Sequence, residues 1–177
     1  MLEQDELRQV IRRTRRGPFV PENAGSPTTL GRAELERLLP HRPPMLLVDS
    51  IDAVDLSGSA VRGRRSLRSG DLGFEGHFPG APIYPGMLVV EAIGQLALTL
   101  LHFLGSRRLD VPDSTTPPRV LVTHVHHAAF IAPFRPGDTM TLHAQLVHQD
   151  HTLVAAGQAW NGSTLSAFAI SQVYVDE

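Results

Sequence analysis

From Met87 to Leu104 the sequence reads MLVVEAIGQLALTLLHFL, a run with helical periodicity and very little polarity. Its polar residues, Glu91, Gln95, Thr99 and His102, recur every three or four positions and so fall on one narrow stripe of an otherwise apolar cylinder. Pro85-Gly86 supplies a helix start and Gly105 a stop. A helix that is apolar nearly all round is either a membrane span or the centre of a domain. A glutamate one turn inside it, and a length only just sufficient to span, argue for the centre of a domain. The rest of a 177-residue chain, enough for one domain with a substantial core, is then expected to wrap this helix.

The flanking segments supply the wrapping. After the helix, RVLVTHVHHAAFI, TMTLHAQLVHQD, TLVAAGQAWNG and TLSAFAISQVYVD read as strands, separated by turn signals at Pro136-Gly137-Asp138 and Asn161-Gly162. Before it, MLLVDSIDAVD and SAVRGRRSL read the same way. The expected class is α+β, an antiparallel sheet wrapped around one long central helix. Thr29 to Leu39 is predicted as a shorter helix with Thr29 as N-cap, Leu35, Leu38 and Leu39 on one side, and Pro40 as terminator. Residues 1–28 form an arm, with an Arg-rich helix to about residue 16 and a linker from Gly17 to Pro27. The main domain is expected over 29–177. Such an arm can cover a neighbouring subunit, grip a partner or stay disordered.

Composition removes several chemistries. The chain has no Cys, which excludes disulfides, thiolate nucleophiles and Cys-based zinc sites. All 16 basic residues are Arg, so no lysine Schiff base can form. A net charge of -2 and a pI near 6.5 give no reason to expect nucleic acid as a partner. Arg12-Arg13 and Arg15-Arg16 are followed by a polar, proline-broken stretch rather than the apolar core of an export signal, so a cytoplasmic location with no membrane association is expected.

The chemistry-bearing segment is GHFPGAPIYPGMLVVE, from Gly76 to Glu91. His77 lies in a loop crowded with Gly and Pro, whereas Glu91 lies in the first turns of the apolar helix. Histidine exchanges a proton near neutrality and can act as a base, and a carboxyl shielded by apolar surroundings can act as an acid. Alone, a histidine in such a loop is ordinarily a hydrogen-bonded turn residue, and a buried glutamate ordinarily a partner of the helix dipole. Together in this spacing they point to proton transfer. Gln95, one turn past Glu91, either orients its carboxyl or packs. Phe78, Tyr84 and Trp160 are expected in the core or in the walls of a substrate channel, and His41 is expected to tie down the loop after the shorter helix. On a strand, His124 and His126 would share a face and His127 would point away, with no carboxylate motif to complete a metal site. Neither a metal nor a cofactor is expected.

Three blocks resemble the FabZ-type 3-hydroxyacyl-[acyl-carrier-protein] dehydratases, which have the hotdog fold. They are LPHRPPMLLVD (Leu39 to Asp49), GHFPGAPIYPGMLVVEAIGQ (Gly76 to Gln95) and AAFIAPFRPGD (Ala128 to Asp138), in the family's order, and the resemblance covers roughly residues 29–177. It implies that His77 abstracts the α-proton of a 3-hydroxyacyl thioester and that Glu91 protonates or orients the departing hydroxyl. It further implies that the Gly86 N–H, at the helix N-terminus, polarises the thioester carbonyl, with Gln95, Phe78 and Tyr84 around the substrate. The implied substrate is carried on acyl carrier protein or coenzyme A, in fatty acid or polyketide-type biosynthesis. In the family the His and the Glu come from different subunits, which implies a homodimer or an oligomer of dimers, or a heterodimer. A hotdog acyl-thioester hydrolase, a subunit of a heterodimeric dehydratase and a non-catalytic acyl-thioester sensor are the alternatives. The presence of both His77 and Glu91 weighs against them. The chain departs from the pattern at Ile131 and Ala132, where basic residues usually stand, at Pro43, where an aromatic is usual, and in its N-terminal extension. Arg62, Arg64, Arg65, Arg68 and Arg135 offer charge elsewhere for a carrier to meet.

Overall fold

In the computed structural model, which describes residues 3–149 and 152–176, the long helix α3 runs from Gly86 to Ser106 and buries Val89, Ile93, Leu96, Leu100 and Phe103. It extends slightly beyond the expected stop. Gly105 remains helical, and Arg107 closes the helix in the left-handed conformation (φ 56°). Seven strands form one antiparallel sheet, β1 (Ser26–Leu30), β2 (Ser50–Asp55), β3 (Ala60–Ser66), β4 (Arg119–Phe130), β5 (Thr139–Gln149), β6 (Thr152–Asn161) and β7 (Thr164–Asp176). Their order is β1-β2-β3-β5-β6-β7-β4, which leaves β1 and β4 at the edges. α3 lies against one face of the sheet, as expected of a helix that is apolar nearly all round. Contact is closest at β6, where a Cβ on Gly157 would overlap the Ile93 side chain, and at β3, where one on Gly63 would sit 2.9 Å from Leu96. By composition alone α3 is long and apolar enough to cross a membrane, yet here it is the core helix of the sheet.

Two sequence expectations are corrected. The shorter helix, α2, starts at Arg32 rather than Thr29, because Ser26–Leu30 is drawn out to pair with β2 (Pro27 opposite Ala53, Leu30 opposite Ile51). Gly31 takes the N-cap position, its N–H donating to Glu34 Oε2 at 2.9 Å. Glu34's own backbone N–H, together with that Gly31 bond, holds the Glu34 carboxyl below its ordinary pKa. Second, Met45–Asp49 is not part of β2. Its Met45 and Leu46 N–H groups turn back onto the Arg42 carbonyl, and the Met45 carbonyl and Leu47 N–H are bound by a side chain of α3.

The N-terminal arm folds onto its own chain. Helix α1 (Gln4–Thr14) lays Leu7, Val10 and Ile11 over Val154, Ala156 and Ile170 on the sheet's outer face. Gln158, fully buried beneath it, donates through Nε2 to the Thr14 and Gly17 carbonyls and accepts the Phe19 N–H at 3.1 Å. His143 accepts the Val20 N–H on Nδ1 at 3.3 Å. Burial, reinforced by the Arg62 charge, pushes the His143 pKa down to about 4, with Asp52 acting weakly in the other direction. Above pH 6.5 the ring is neutral whether the chain is folded or not. As pH falls toward 4 only the unfolded chain takes up the proton, so stability should decline over that window by roughly 3 kcal/mol. Denaturant titrations at stepped pH should show this decline, and His143→Asn, which keeps an acceptor but does not titrate, should flatten it.

Candidate active site

The loop before α3 is shaped by glycines at positive φ, Gly76 (82°) and Gly80 (79°), which let the chain reverse around His77. Two bonds lock the reversal. The Ile83 N–H donates to the His77 carbonyl at 2.9 Å, and His77 Nδ1 lies 2.8 Å from the Ile83 carbonyl oxygen. A carbonyl only accepts, so the neutral ring carries its proton on Nδ1 and leaves the Nε2 lone pair free. The Phe78 ring stacks on the imidazole at 4.2 Å and is half exposed. Tyr84 is buried against Phe74, and its N–H donates to the Phe134 carbonyl. Burial raises the Tyr84 pKa, and its hydroxyl has no partner among the described residues.

His77, Tyr84 and Gly86 line one cavity of about 350 Å³, closed on its other side by Phe130 and Ile131. Gly86 is the first residue of α3, with no side-chain cap and no acidic residue in the first turn. Its N–H therefore has no intrahelical acceptor, and the positive end of the helix dipole faces the cavity. The Phe130 ring packs so close to Gly86 that a Cβ there would lie 2.6 Å from it, so the position favours glycine.

Glu91 lines a second cavity of about 150 Å³, walled by His41, Leu98, Leu101, Val120 and Val173. Its side chain keeps 38% of its exposure, more than the enclosed glutamate expected from the helix pattern. Gln95 is 1% exposed, and three fixed partners define its amide orientation. Oε1 accepts the Leu47 N–H at 2.8 Å, while Nε2 donates to the Met45 carbonyl at 2.7 Å and to Glu91 Oε1 at 2.8 Å. Of the two roles open to Gln95, the structure therefore shows contact with the carboxylate. His41 was missed as a site residue. Its Nε2 lies 3.3 Å from Glu91 Oε1, while its Nδ1 is buried without a partner. Gln95 is thus the hydrogen-bond donor to Oε1, with the His41 ring beside it at ion-pair distance, and Oε2 has no hydrogen-bond partner among the described residues. The signal for His41 was its place in the LPHR block; what hid the contact is that it depends on the packing of α2 against α3.

Other candidates separate from this region. His124 and His126 stack at 5.7 Å and His127 packs on Phe168, with no group of three metal-ligating side chains among the described residues. Trp160 lines a cleft on the outer face of the sheet rather than the core or a channel. Arg65 is engaged internally, between Asp49 and Asp71 at 2.9 Å each, and so is not free to meet a partner.

Residues 39–166 match the FabA-like domain. The 3-hydroxyacyl-[acyl-carrier-protein] dehydratase FabZ of Chlamydia trachomatis is 38% identical over 116 residues, covering 66% of this chain and 72% of that protein. The FabZ dehydratase of Nitratiruptor is 32% identical over 146 residues, covering 81% and 97%. The chain belongs to the FabZ-type dehydratase family. Among solved structures, the dehydratase heterocomplex ApeI:P from Xenorhabdus doucetiae has a TM-score of 0.58 at 17% identity, covering 81% of this chain and 91% of that one. The PaaI protein of Escherichia coli has 0.52 at 16%, covering 70% and 80%. At such identities they share the fold, and this FabZ-type chain has the hotdog architecture expected of it.

Because Gln95 bonds two backbone groups of the Met45–Leu47 segment, Gln95→Leu leaves a buried N–H and a buried carbonyl unpaired. A loss of about 2–5 kcal/mol in unfolding free energy is expected. Urea denaturation of wild type and variant would measure it.

Proposed function

We propose that this protein is a 3-hydroxyacyl-[acyl-carrier-protein] dehydratase of fatty acid biosynthesis, acting in the cytoplasm as a homodimer whose active sites each draw on both chains. The observation that carries the two-chain reading is that His77 and Gly86 line one cavity while Glu91 lines another. Residues 29–177 form the catalytic domain in this reading and residues 1–28 an accessory arm.

His77 Nε2 takes the α-proton of the acyl thioester. Negative charge builds on the thioester oxygen, where the Gly86 N–H and the N-terminus of α3 receive it; a donor of this kind is worth about 3 kcal/mol. Glu91, held at Oε1 by the Gln95 amide, delivers a proton from Oε2 to the 3-hydroxyl as the carbon–oxygen bond breaks. Water and the trans-2-enoyl thioester leave, and solvent exchange returns one proton from His77 and one to Glu91. Phe78 stacks against the base, and Tyr84 closes the wall of its cavity.

The second chain enters through β4. This edge strand of 12 residues keeps Leu121, Val122 and Val125 between 48% and 64% exposed, an apolar edge suited to pairing. Antiparallel pairing of two β4 strands about their midpoint sets the Val120–Val122 end of one chain beside the Phe130–Ile131 end of the other. Val120 and Val122 border the Glu91 cavity, and Phe130 and Ile131 border the His77 cavity. The pairing therefore joins the two half-sites. With Ile131 and Ala132 apolar, Arg68 and Arg135, both exposed, are the charges left on this side for an acidic carrier.

Subunit mixing tests the assignment. His77→Ala and Glu91→Gln should each abolish dehydration of a carrier-bound 3-hydroxyacyl thioester, read as loss of one water by mass spectrometry. Co-refolded together, they should recover about a quarter of wild-type activity, because half the dimers are mixed and each holds one intact pair. Activity in either variant alone would remove that residue from the mechanism. No recovery on mixing, with dimers formed, would place His77 and Glu91 of one site on the same chain.

A further inference from the structure

On the sheet's outer face, away from α3, a cleft of about 680 Å³ opens between strands β3, β5 and β6 and the arm segment 18–23. It is separated from both half-sites by the sheet itself. On β3 the buried Val61 and the close-packed Gly63 face the helix, so Arg62 and Arg64 between and beyond them face outward. The arm forms one wall, and it lies outside the stretch that matches the FabA-like domain.

The cleft carries more donors than the chain satisfies. Arg62 donates through Nη1 to the Pro21 carbonyl at 3.2 Å and, at longer range, to the Val20 carbonyl, but it has no carboxylate partner among the described residues. Its Nε is buried without an acceptor, and so is the indole Nε1 of Trp160, a second lining residue. His143 accepts the Val20 N–H on Nδ1, so its neutral ring carries the proton on Nε2 and adds another donor. Arg64 is tied to Asp52 and only half exposed to other partners. The lining holds a single carboxylate, Glu22, which is exposed and forms no ion pair among the described residues. Buried donors left unpaired are costly, and a cation without a counter-charge adds to the imbalance.

We propose that this cleft is a binding site for a small molecule bearing an oxyanion, a carboxylate or a phosphate, held by Arg62, Trp160 and His143. The Arg62, Trp160 and His143 side chains border the same cleft, so the unpaired Arg62 and Trp160 nitrogens lie beside one ligand volume. Trp160 is the chain's only tryptophan, so its emission reports on this cleft alone.

The test is a fluorescence titration of the full-length protein with inorganic phosphate and, separately, with acetate, at ionic strength held constant with chloride. A saturable change with either ion is expected, and the ion that saturates at lower concentration identifies the group the site takes. Arg62→Met should weaken binding at least tenfold, and Glu22→Gln should tighten it several-fold by removing the competing carboxylate. Because Arg62 also holds the arm, Trp160→Phe provides a second variant that leaves those bonds in place; calorimetry should find its affinity reduced several-fold. A linear, non-saturating response to both ions, or saturation unchanged in Arg62→Met and Trp160→Phe, would overturn the proposal. Since the cleft is remote from His77 and Glu91, either result leaves the dehydratase reading standing.

Discussion

The structure depends on the burial of α3. Ile93, Leu96, Leu100 and Phe103 are almost wholly removed from water, which at ~1.5–3 kcal/mol per side chain supplies on the order of 10 kcal/mol of hydrophobic stabilisation to the fold. At Gly63 and Gly157 the sheet comes so close to the helix that no side chain would fit, while β5 packs on it through Leu142, Ala144 and Leu146. One helix thus organises the core and sets where the sheet must curve. Its own beginning, an open N-terminus at Gly86, falls where the Gly/Pro-rich loop delivers His77.

Burial also dictates how the polar stripe behaves. A glutamine inside such a core must spend every hydrogen-bonding group, and Gln95 does so on the Met45 carbonyl, the Leu47 N–H and Glu91. These bonds couple fold and site. The segment that would otherwise continue β2 is held as loop by the same side chain that grips the Glu91 carboxyl. Gln95 occupies Oε1, the His41 ring flanks it at 3.3 Å, and Oε2 remains the oxygen able to act on a ligand.

The parts legible in the sequence were those governed by short-range periodicity. The apolar helix, the four strands after it and their turns appear close to where alternation and turn residues put them. His77 and Glu91 stood out because their residue types are unusual for their surroundings. The errors came where a distant partner overrides local preference. Thr29 has the chemistry of an N-cap, but strand pairing with β2 claims it. Met45–Asp49 has strand composition, but Gln95 takes its backbone groups. Trp160 reads as core or substrate-channel wall, yet the outer face it occupies is roofed by an arm whose docking through Gln158 and His143 leaves no periodic trace. His41 belongs to the same class, since its partner lies far along the chain on another helix.

Helical geometry also explains why the site is divided. Gly86 and Glu91 are five positions apart on α3, and at 3.6 residues per turn their directions differ by ~140° around the axis. The helix N-terminus and the carboxyl therefore face nearly opposite sides, and no adjustment of the His77 loop, which is tied to Ile83 on the Gly86 side, can bring the imidazole round to the Glu91 side. The helix must stay buried, so it cannot turn to present both groups to one ligand. In the proposed dimer a symmetric second copy would meet this constraint without deforming either chain, because a two-fold axis at the apolar β4 edge would carry the Glu91 side of one helix to the His77 side of the other. The constraint that builds the core, a single buried helix, is thus the same one that sets Glu91 and His77 against different cavities of one chain.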